Sequence, residues 1–317
     1  MAQEHISVLL NESIAMLDIN KNGIYVDCTM GRAGHSVEIL QKLENGHLYA
    51  IDQDVEAIEG SQKKLEQVSK NFTILEGNFV DIKALLALQN VKKVDGILYD
   101  LGVSSPQFDN GQRGFSYRYD APLDMRMDNI NNLLTAKTVV NTYDEKQLAD
   151  IFWKYGEEKF SFLIAKNIVK FRVNQPINTT YELVDIIKAS LPQKVLKQKK
   201  HPAKKVFQAL RVYVNNELEV LKKSLIQSLE LLNPNGRLVV ITFQSLEEKI
   251  IKDLFKAKTQ NDQDKFLRQL PFNNMEIEKE YQLLIKKPIV ASEQELEQNR
   301  RAHSAKLWAI KRVKAND

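Results

Sequence analysis

Apolar, strand-sized runs separated by helix-sized segments fill the first hundred residues, and this alternation constrains the fold more than any other feature of the chain. Gly23-Ile-Tyr-Val-Asp27, His47-Leu-Tyr-Ala-Ile-Asp52, Phe72-Thr-Ile-Leu75 and Val94-Asp-Gly-Ile-Leu-Tyr-Asp100 read as four short buried strands. Between them, Val37, Leu40 and Leu43 keep helical spacing, Val55 to Val68 is amphipathic, and Ile82 to Leu88 suits a short helix. Strands without a polar face, each followed by a helix, imply a parallel sheet covered on both sides.

The rhythm breaks after the fourth strand. From about Gln107 to Leu191 the pattern gives loops and helices but no convincing strand; Lys146 to Val173 is mostly helical, and Tyr181 to Ala189 forms another short helix. One long helix is expected after His201-Pro202, with the proline in its first turn and apolar positions at Val206, Leu210, Val214, Leu218, Leu221, Leu225 and Leu229. Asn233-Pro-Asn-Gly236 reads as a turn, Arg237 to Phe243 as a resumed strand, and Leu246 to Phe255 as a helix. Tyr281 to Ile285 and Lys306 to Val313 could pair as antiparallel strands. The expected fold is an α/β, Rossmann-like sheet domain (1–108 and 213–317) interrupted by a helical insertion (109–212).

Ligands of open parallel sheets sit at the carboxyl ends of the strands. Here the first strand runs into Asp27-Cys-Thr-Met-Gly31-Arg-Ala-Gly34-His35, and the second ends at Asp52. An acidic residue at that place can accept both ribose hydroxyls of an adenosine. The loop has only G-x-x-G, with Thr29 where a dinucleotide fingerprint has its first glycine. An adenosine-containing ligand without phosphates, S-adenosylmethionine, suits it better than NAD. Asp27 is expected to serve the loop backbone.

The next strand end carries Asp100-Leu-Gly-Val-Ser-Ser-Pro-Gln107. Before it stand His5-x-x-Val8-Leu9-Leu10, Gly34-His35-Ser36 and Ala50-Ile-Asp52. After it come Arg113-Gly-Phe-Ser116, Pro122-Leu-Asp-Met-Arg-Met-Asp128, Tyr155-Gly-Glu157, His201-Pro-Ala203 and Phe207-Gln-Ala-Leu-Arg211. In this order, over nearly the whole chain, these motifs resemble the bacterial ribosomal RNA small-subunit N4-cytosine methyltransferases, the RsmH or MraW family. The resemblance implies a class I S-adenosylmethionine-dependent methyltransferase acting on the exocyclic amine of a cytidine in 16S ribosomal RNA. It carries cofactor contact to Ala33, Gly34, His35, Asp52, Phe79, Asp100 and Gln107. Phe79 could pack against adenine, and Asp100 could bind the methionine amino group or position the acceptor amine as the catalytic residue. The chain departs from the family pattern at Cys28 and Ala33, where glycine is usual, at Gln244 in place of histidine, and at His303 and Trp308 in place of arginines. Without a histidine at 244, no obligatory histidine base is expected.

A target base must leave its stack and is held between aromatic or apolar faces. Arg113, Phe115 and Tyr117, with Arg118 and Tyr119, are candidates for that contact. From Ile186 to Asn216 there is no Asp or Glu, while Lys188, Lys194, Lys197, Lys199, Lys200, Lys204, Lys205 and Arg211 all fall within it. Phosphate contact is the expected use of Lys197, Lys199, Lys200, Lys204 and Lys205. Glu157-Glu158 suits helix-start chemistry rather than catalysis. The single cysteine, Cys28, excludes an intramolecular disulfide and a four-cysteine zinc site; no metal is expected. With no apolar run of about 18 residues and no leader-like N-terminus, the expectation is a soluble cytoplasmic protein without a membrane partner. The small ribosomal subunit is the expected partner, with a homodimer left open. The competing functions are a DNA N4-cytosine methyltransferase, whose Ser/Asn/Asp-Pro-Pro-Tyr/Phe signature is absent, and a non-catalytic RNA-binding assembly protein.

Overall fold

The computed structural model describes residues 7–101, 113–129, 132–198, 200–260 and 279–313. The chain divides into two compact units, Met1–Gly102 with Leu218–Asp317, and Val103–Glu217. In the first unit, the described residues form a seven-stranded sheet in the order β3-β2-β1-β4-β5-β7-β6. β1 (Ile24–Asp27), β2 (His47–Asp52), β3 (Phe72–Glu76), β4 (Val94–Asp100) and β5 (Leu232–Thr242) run parallel. β7 (Lys306–Arg312) is antiparallel to both β5 and β6 (Tyr281–Leu283).

Both faces of the sheet are covered, which is why its strands are apolar without alternation. Val26, Ile97, Tyr99, Leu238 and Val240 point into one core, and Tyr25, Leu98, Val239 and Ile241 into the other. Helices α2 (Gly34–Gln41), α3 (Val55–Glu66) and α4 (Ile82–Leu88) follow the first three strands as expected. A further helix, α1 (Leu10–Leu17), precedes β1. Its Ile14 and Leu17 join the second core.

The second unit is helical, and among its described residues the only pairing of extended chain is a bridge between Pro122 and Thr179. The span expected to be mostly helical is two helices, Glu145–Gly156 and Ser161–Arg172. Glu157 ends the first in the left-handed region. Glu158 lies just ahead of the second, its Oε1 accepting the N–H of the N-cap residue Phe160 at 3.0 Å. Glu158 therefore does the helix-start work expected of the pair, while Glu157 stands at the end of the preceding helix.

The single long helix after Pro202 is corrected. Helix Lys204–Val214 stops before Glu217–Leu231 begins, with Asn216 between them at φ 49°. Asn215 makes the break: its side chain accepts the Met127 N–H at 2.7 Å and donates to the Met125 and Arg211 carbonyls. Arg211 and Glu217 clamp across it with two hydrogen bonds of 2.7 and 2.8 Å. Pro202 lies ahead of the helix, whose N-cap is Ala203. Residues 233–236 do not separate helix from strand as expected. They form an irregularity inside β5, where the register to β4 jumps from Val94–Leu232 to Gly96–Arg237.

Candidate active site

The strand order reverses between β1 and β4, and at such a switch point the loops after adjacent strands diverge to leave a crevice. The loop after β1 is stitched to both neighbours. Cys28 N–H donates to the Leu98 carbonyl and Met30 N–H to the Ile51 carbonyl. Asp27 is buried and spends both oxygens on the loop, accepting from Thr29 N–H at 3.1 Å and Ser36 Oγ at 2.7 Å. Burial pushes its pKa up, and these hydrogen bonds pull it back. Thr29 Oγ1 in turn accepts the Asp100 N–H at 2.7 Å.

Gly31 takes a positive φ of 50°. Its N–H donates to Asp52 Oδ2 at 2.8 Å, and its carbonyl accepts from Ser61 Oγ at 2.7 Å. Asp52 Oδ1 accepts the Asp54 N–H at 2.9 Å. Burial raises the Asp52 pKa, against those two backbone donors. Ala33 caps α2 in the left-handed region at φ 61° although it carries a Cβ, a conformation that costs an L-residue about 1–2 kcal/mol. Gly34 gives the loop room beside Ser7: a Cβ there would overlap Ser7 Oγ, and that hydroxyl would have to turn away.

Asp100 ends β4 beside this loop. Its Oδ1 is buried and has no hydrogen-bond partner among the described residues. Its Oδ2 lies 3.7 Å from His35 Nδ1, and about 24% of the side chain remains accessible. Burial pushes its pKa up to about 6; His35 opposes the shift, and Asp27 and Glu247 add to it. His35 is itself only 4% exposed. Its Nε2 is 3.1 Å from the Val8 carbonyl. That carbonyl can only accept, so Nε2 carries a proton, and Nδ1 faces the Asp100 carboxyl. At the end of β5, Glu247 Oε2 accepts the Phe243 and Gln244 N–H groups, while Gln244 Oε1 is buried without a partner among the described residues. Beyond β3, Phe79 is half-buried, its ring edge-on to Tyr99 at 5.6 Å. Ser224 Oγ holds the Phe79 carbonyl at 2.6 Å. Gln107 lies outside the described residues.

In the helical unit, two of the expected base contacts serve the fold instead. Phe115 is 3% exposed and belongs to the helical core, where no base can reach its face. Arg113 donates through Nη2 to the Arg126 and Met127 carbonyls, and Met125 N–H donates back to the Arg113 carbonyl. The two motifs around 113–116 and 122–128 thus brace each other. Tyr117 is half-buried and stacks on His201, with centroids 4.3 Å apart. Lys197, Lys200 and Lys204 are exposed; Lys205 donates to the Glu157 carbonyl at 2.7 Å, Arg211 is held by Glu217, and Lys199 lies outside the described residues.

The sequence model of the MraW methylase family matches residues 2–313. The chain belongs to the MraW methylase family. It is 60% identical over 310 residues to a Mesoplasma florum protein named Ribosomal RNA small subunit methyltransferase H, covering 98% of this chain and 99% of that one. Proteins of the same name from Lactiplantibacillus plantarum and Streptococcus pyogenes are 51% and 50% identical, each comparison covering 98% of both chains. The sheet is accordingly the Rossmann-like sheet of a class I methyltransferase.

In this MraW methylase the departures from the family pattern fall in different settings. Cys28 is buried, and burial pushes its thiol pKa well up. Gln244 occupies the N-cap position of the helix Ser245–Thr259, where Glu247 holds its backbone N–H. Trp308 Nε1 is buried with no partner among the described residues, and His303 is exposed. Among the described residues no group of three or more His, Cys, Asp or Glu could hold a metal, and no helix is long and apolar enough to cross a membrane. Sequence reasoning missed Thr29, Ser36, Ser61 and Glu247. Thr29, Ser61 and Glu247 hold backbone groups and Ser36 holds the Asp27 carboxylate, contacts that only the folded chain reveals.

Proposed function

We propose that this chain transfers a methyl group from S-adenosylmethionine to the exocyclic N4 amine of a cytidine in 16S ribosomal RNA, in the cytoplasm, with the small ribosomal subunit as docking partner. Family membership supplies the reaction class, and the full-length relatives named as small-subunit methyltransferases supply the substrate. The structural observation that carries the reading is the Asp100 Oδ1 at the switch point, buried and without a partner among the described residues. An unpaired carboxylate oxygen there is costly unless a donor or cation arrives.

S-adenosylmethionine supplies a methyl group on a sulfonium sulfur, open to in-line displacement. The residues present fit it. Asp52 uses one lone pair of each oxygen on the backbone, which leaves the others for ribose hydroxyls. Phe79 offers a half-buried ring for adenine, held in place by Ser224. Ala33 and Gly34 contribute the close backbone of the loop, and Asp100 receives the methionine amino group. His35 acts through Asp100 as a positioning residue, fixed by Val8. Gln107 keeps its role on the family resemblance alone.

Cytosine's amine is a weak nucleophile because its lone pair is delocalised into the ring. An acceptor on its N–H groups turns that lone pair toward the methyl. Asp100 Oδ1, an acceptor without a partner among the described residues at the end of β4, is suited to this task. The amide of Gln244 cannot carry a proton at neutral pH, so the proton leaves after transfer without a side-chain base at that position.

The test is transfer of a labelled methyl group to purified small subunits, protein-free 16S RNA and DNA, beside calorimetry of S-adenosylmethionine binding. Label in subunit RNA and not in DNA is the expected result. Label in DNA, or cofactor binding without transfer to any RNA, overturns the reading.

A further inference from the structure

The helical unit carries a cleft to which methyl transfer gives no task. Two adjoining hollows of about 430 and 490 Å3 share Lys200 and His201 in their walls. Lys188 borders the first; Tyr117, Arg118 and Lys204 border the second; among the described residues no carboxylate lines either. Lys188, Lys200, Lys204 and Arg118 are exposed. None of the four enters an ion pair among the described residues.

His201 differs from these exposed cations because its ring is held by neighbours. It lies flat on Tyr117 with the two planes 10° apart, and Phe207 meets Tyr117 edge-on at 5.8 Å. The Ala203 N–H donates to His201 Nδ1 at 3.3 Å. A neutral imidazole whose Nδ1 accepts carries its proton on Nε2. Among the described residues that Nε2 has no partner. Burial, and then Lys188 and Arg118, lower the His201 pKa, so the ring is a neutral, oriented N–H donor at pH 7. The helix Lys204–Val214 starts at the same place with no capping side chain, and an uncapped helix start favours an anion.

We propose that this cleft seats a phosphodiester group of ribosomal RNA, with His201 Nε2–H as the directed donor and Arg118, Lys188, Lys200 and Lys204 as the surrounding charge. The identity of the polyanion rests on the RNA methyltransferase reading. The acid-free stretch from 186 to 216 extends beyond the cleft, as a repeating backbone charge would require. A ring already locked in place loses no rotamer freedom on binding.

The experiment uses the full-length protein, its affinity for small subunits and for protein-free 16S RNA across a salt series, and methyl transfer to the subunits. His201→Phe keeps the ring stack and removes the donor. Subunit affinity should fall about tenfold or more, as for a hydrogen bond to a charged group, with KM raised and kcat at saturating subunits retained. His201→Gln, which keeps an N–H donor, should recover part of the affinity. Lys200→Gln with Lys204→Gln should flatten the log–log salt slope by at most about 1.4 units for two phosphate contacts. Affinity for S-adenosylmethionine should not change in any variant. Wild-type affinity in His201→Phe, or a salt slope parallel to wild type in the double lysine variant, overturns the proposal. Loss of affinity for subunits but not for protein-free RNA overturns it in favour of an acidic ribosomal protein. A wild-type protein that binds RNA without methylating it would sink the methyl-transfer reading and leave the cleft to be judged on binding alone.

Discussion

Asp100 and Asp52 hold similar places at the ends of β4 and β2, and their surroundings give them different chemistry. Asp52 takes two backbone N–H groups and fixes the turn at Gly31. Removing its carboxylate in Asp52→Ala should weaken S-adenosylmethionine binding about ten- to a hundredfold, the worth of roughly 1.5–3 kcal/mol for charged hydrogen bonds. Calorimetry on the folded variant checks this, and an unchanged affinity removes Asp52 from the cofactor site. Among the described residues Asp100 has no such donor for Oδ1, and burial pushes its pKa from an ordinary 3.8 to about 6. The folded chain therefore binds this proton more tightly than the unfolded one. The resulting contribution to stability is complete below pH 3.8 and lost as pH rises through about 6. Above that pH the fold holds a desolvated carboxylate, which a cationic ligand group relieves. Cofactor affinity should thus be level above pH 6 and fall about tenfold per pH unit below it, the signature of one linked proton. Asp100→Asn should abolish that dependence, raise Tm at pH 8 and lower turnover. A variant that keeps the wild-type pH profile would show that another group titrates there.

The elements that a period can describe were legible before the structure: β2 and β4 run over the expected residues, as does α4, because each is an unbroken apolar run or a single amphipathic face. What periodicity could not show was a break that leaves the period intact. Val214 and Leu218 keep helical spacing across Asn216, yet Asn215 prefers three hydrogen bonds to the 125–127 chain and to Arg211 over continuing the helix. Asn215→Leu suits the apolar pattern but removes those bonds, and leaving the Met127 N–H and the Met125 carbonyl unpaired costs about 1–3 kcal/mol each. Denaturant unfolding should show a loss of roughly 3 kcal/mol; a more stable variant would mean that the break is imposed from elsewhere. The candidate site was legible to a similar degree. Asp52, Asp100 and the glycine loop stood out as chemistry at strand ends. The bracing role of Arg113 and the burial of Phe115 did not, since an Arg–aromatic cluster has the same composition whether it packs a core or faces RNA.

At the scale of the whole molecule, one unit supplies the strand-end chemistry and the other the concentrated positive charge. Each has its own core. Charge-driven docking predicts that transfer to small subunits slows steeply as salt rises, through KM rather than kcat, because released counterions set the affinity. A salt-independent KM would mean that docking rests on apolar contacts instead. The central claim, that the methyl group reaches the exocyclic amine of a cytidine in small-subunit RNA, is tested most directly by digesting labelled RNA to nucleosides after reaction and identifying the product by mass spectrometry against standards. The account predicts N4-methylcytidine in 16S RNA, absent with the Asp100→Asn protein. Label on C5 of the base, on a ribose 2′-oxygen, or in any nucleoside other than cytidine would contradict it.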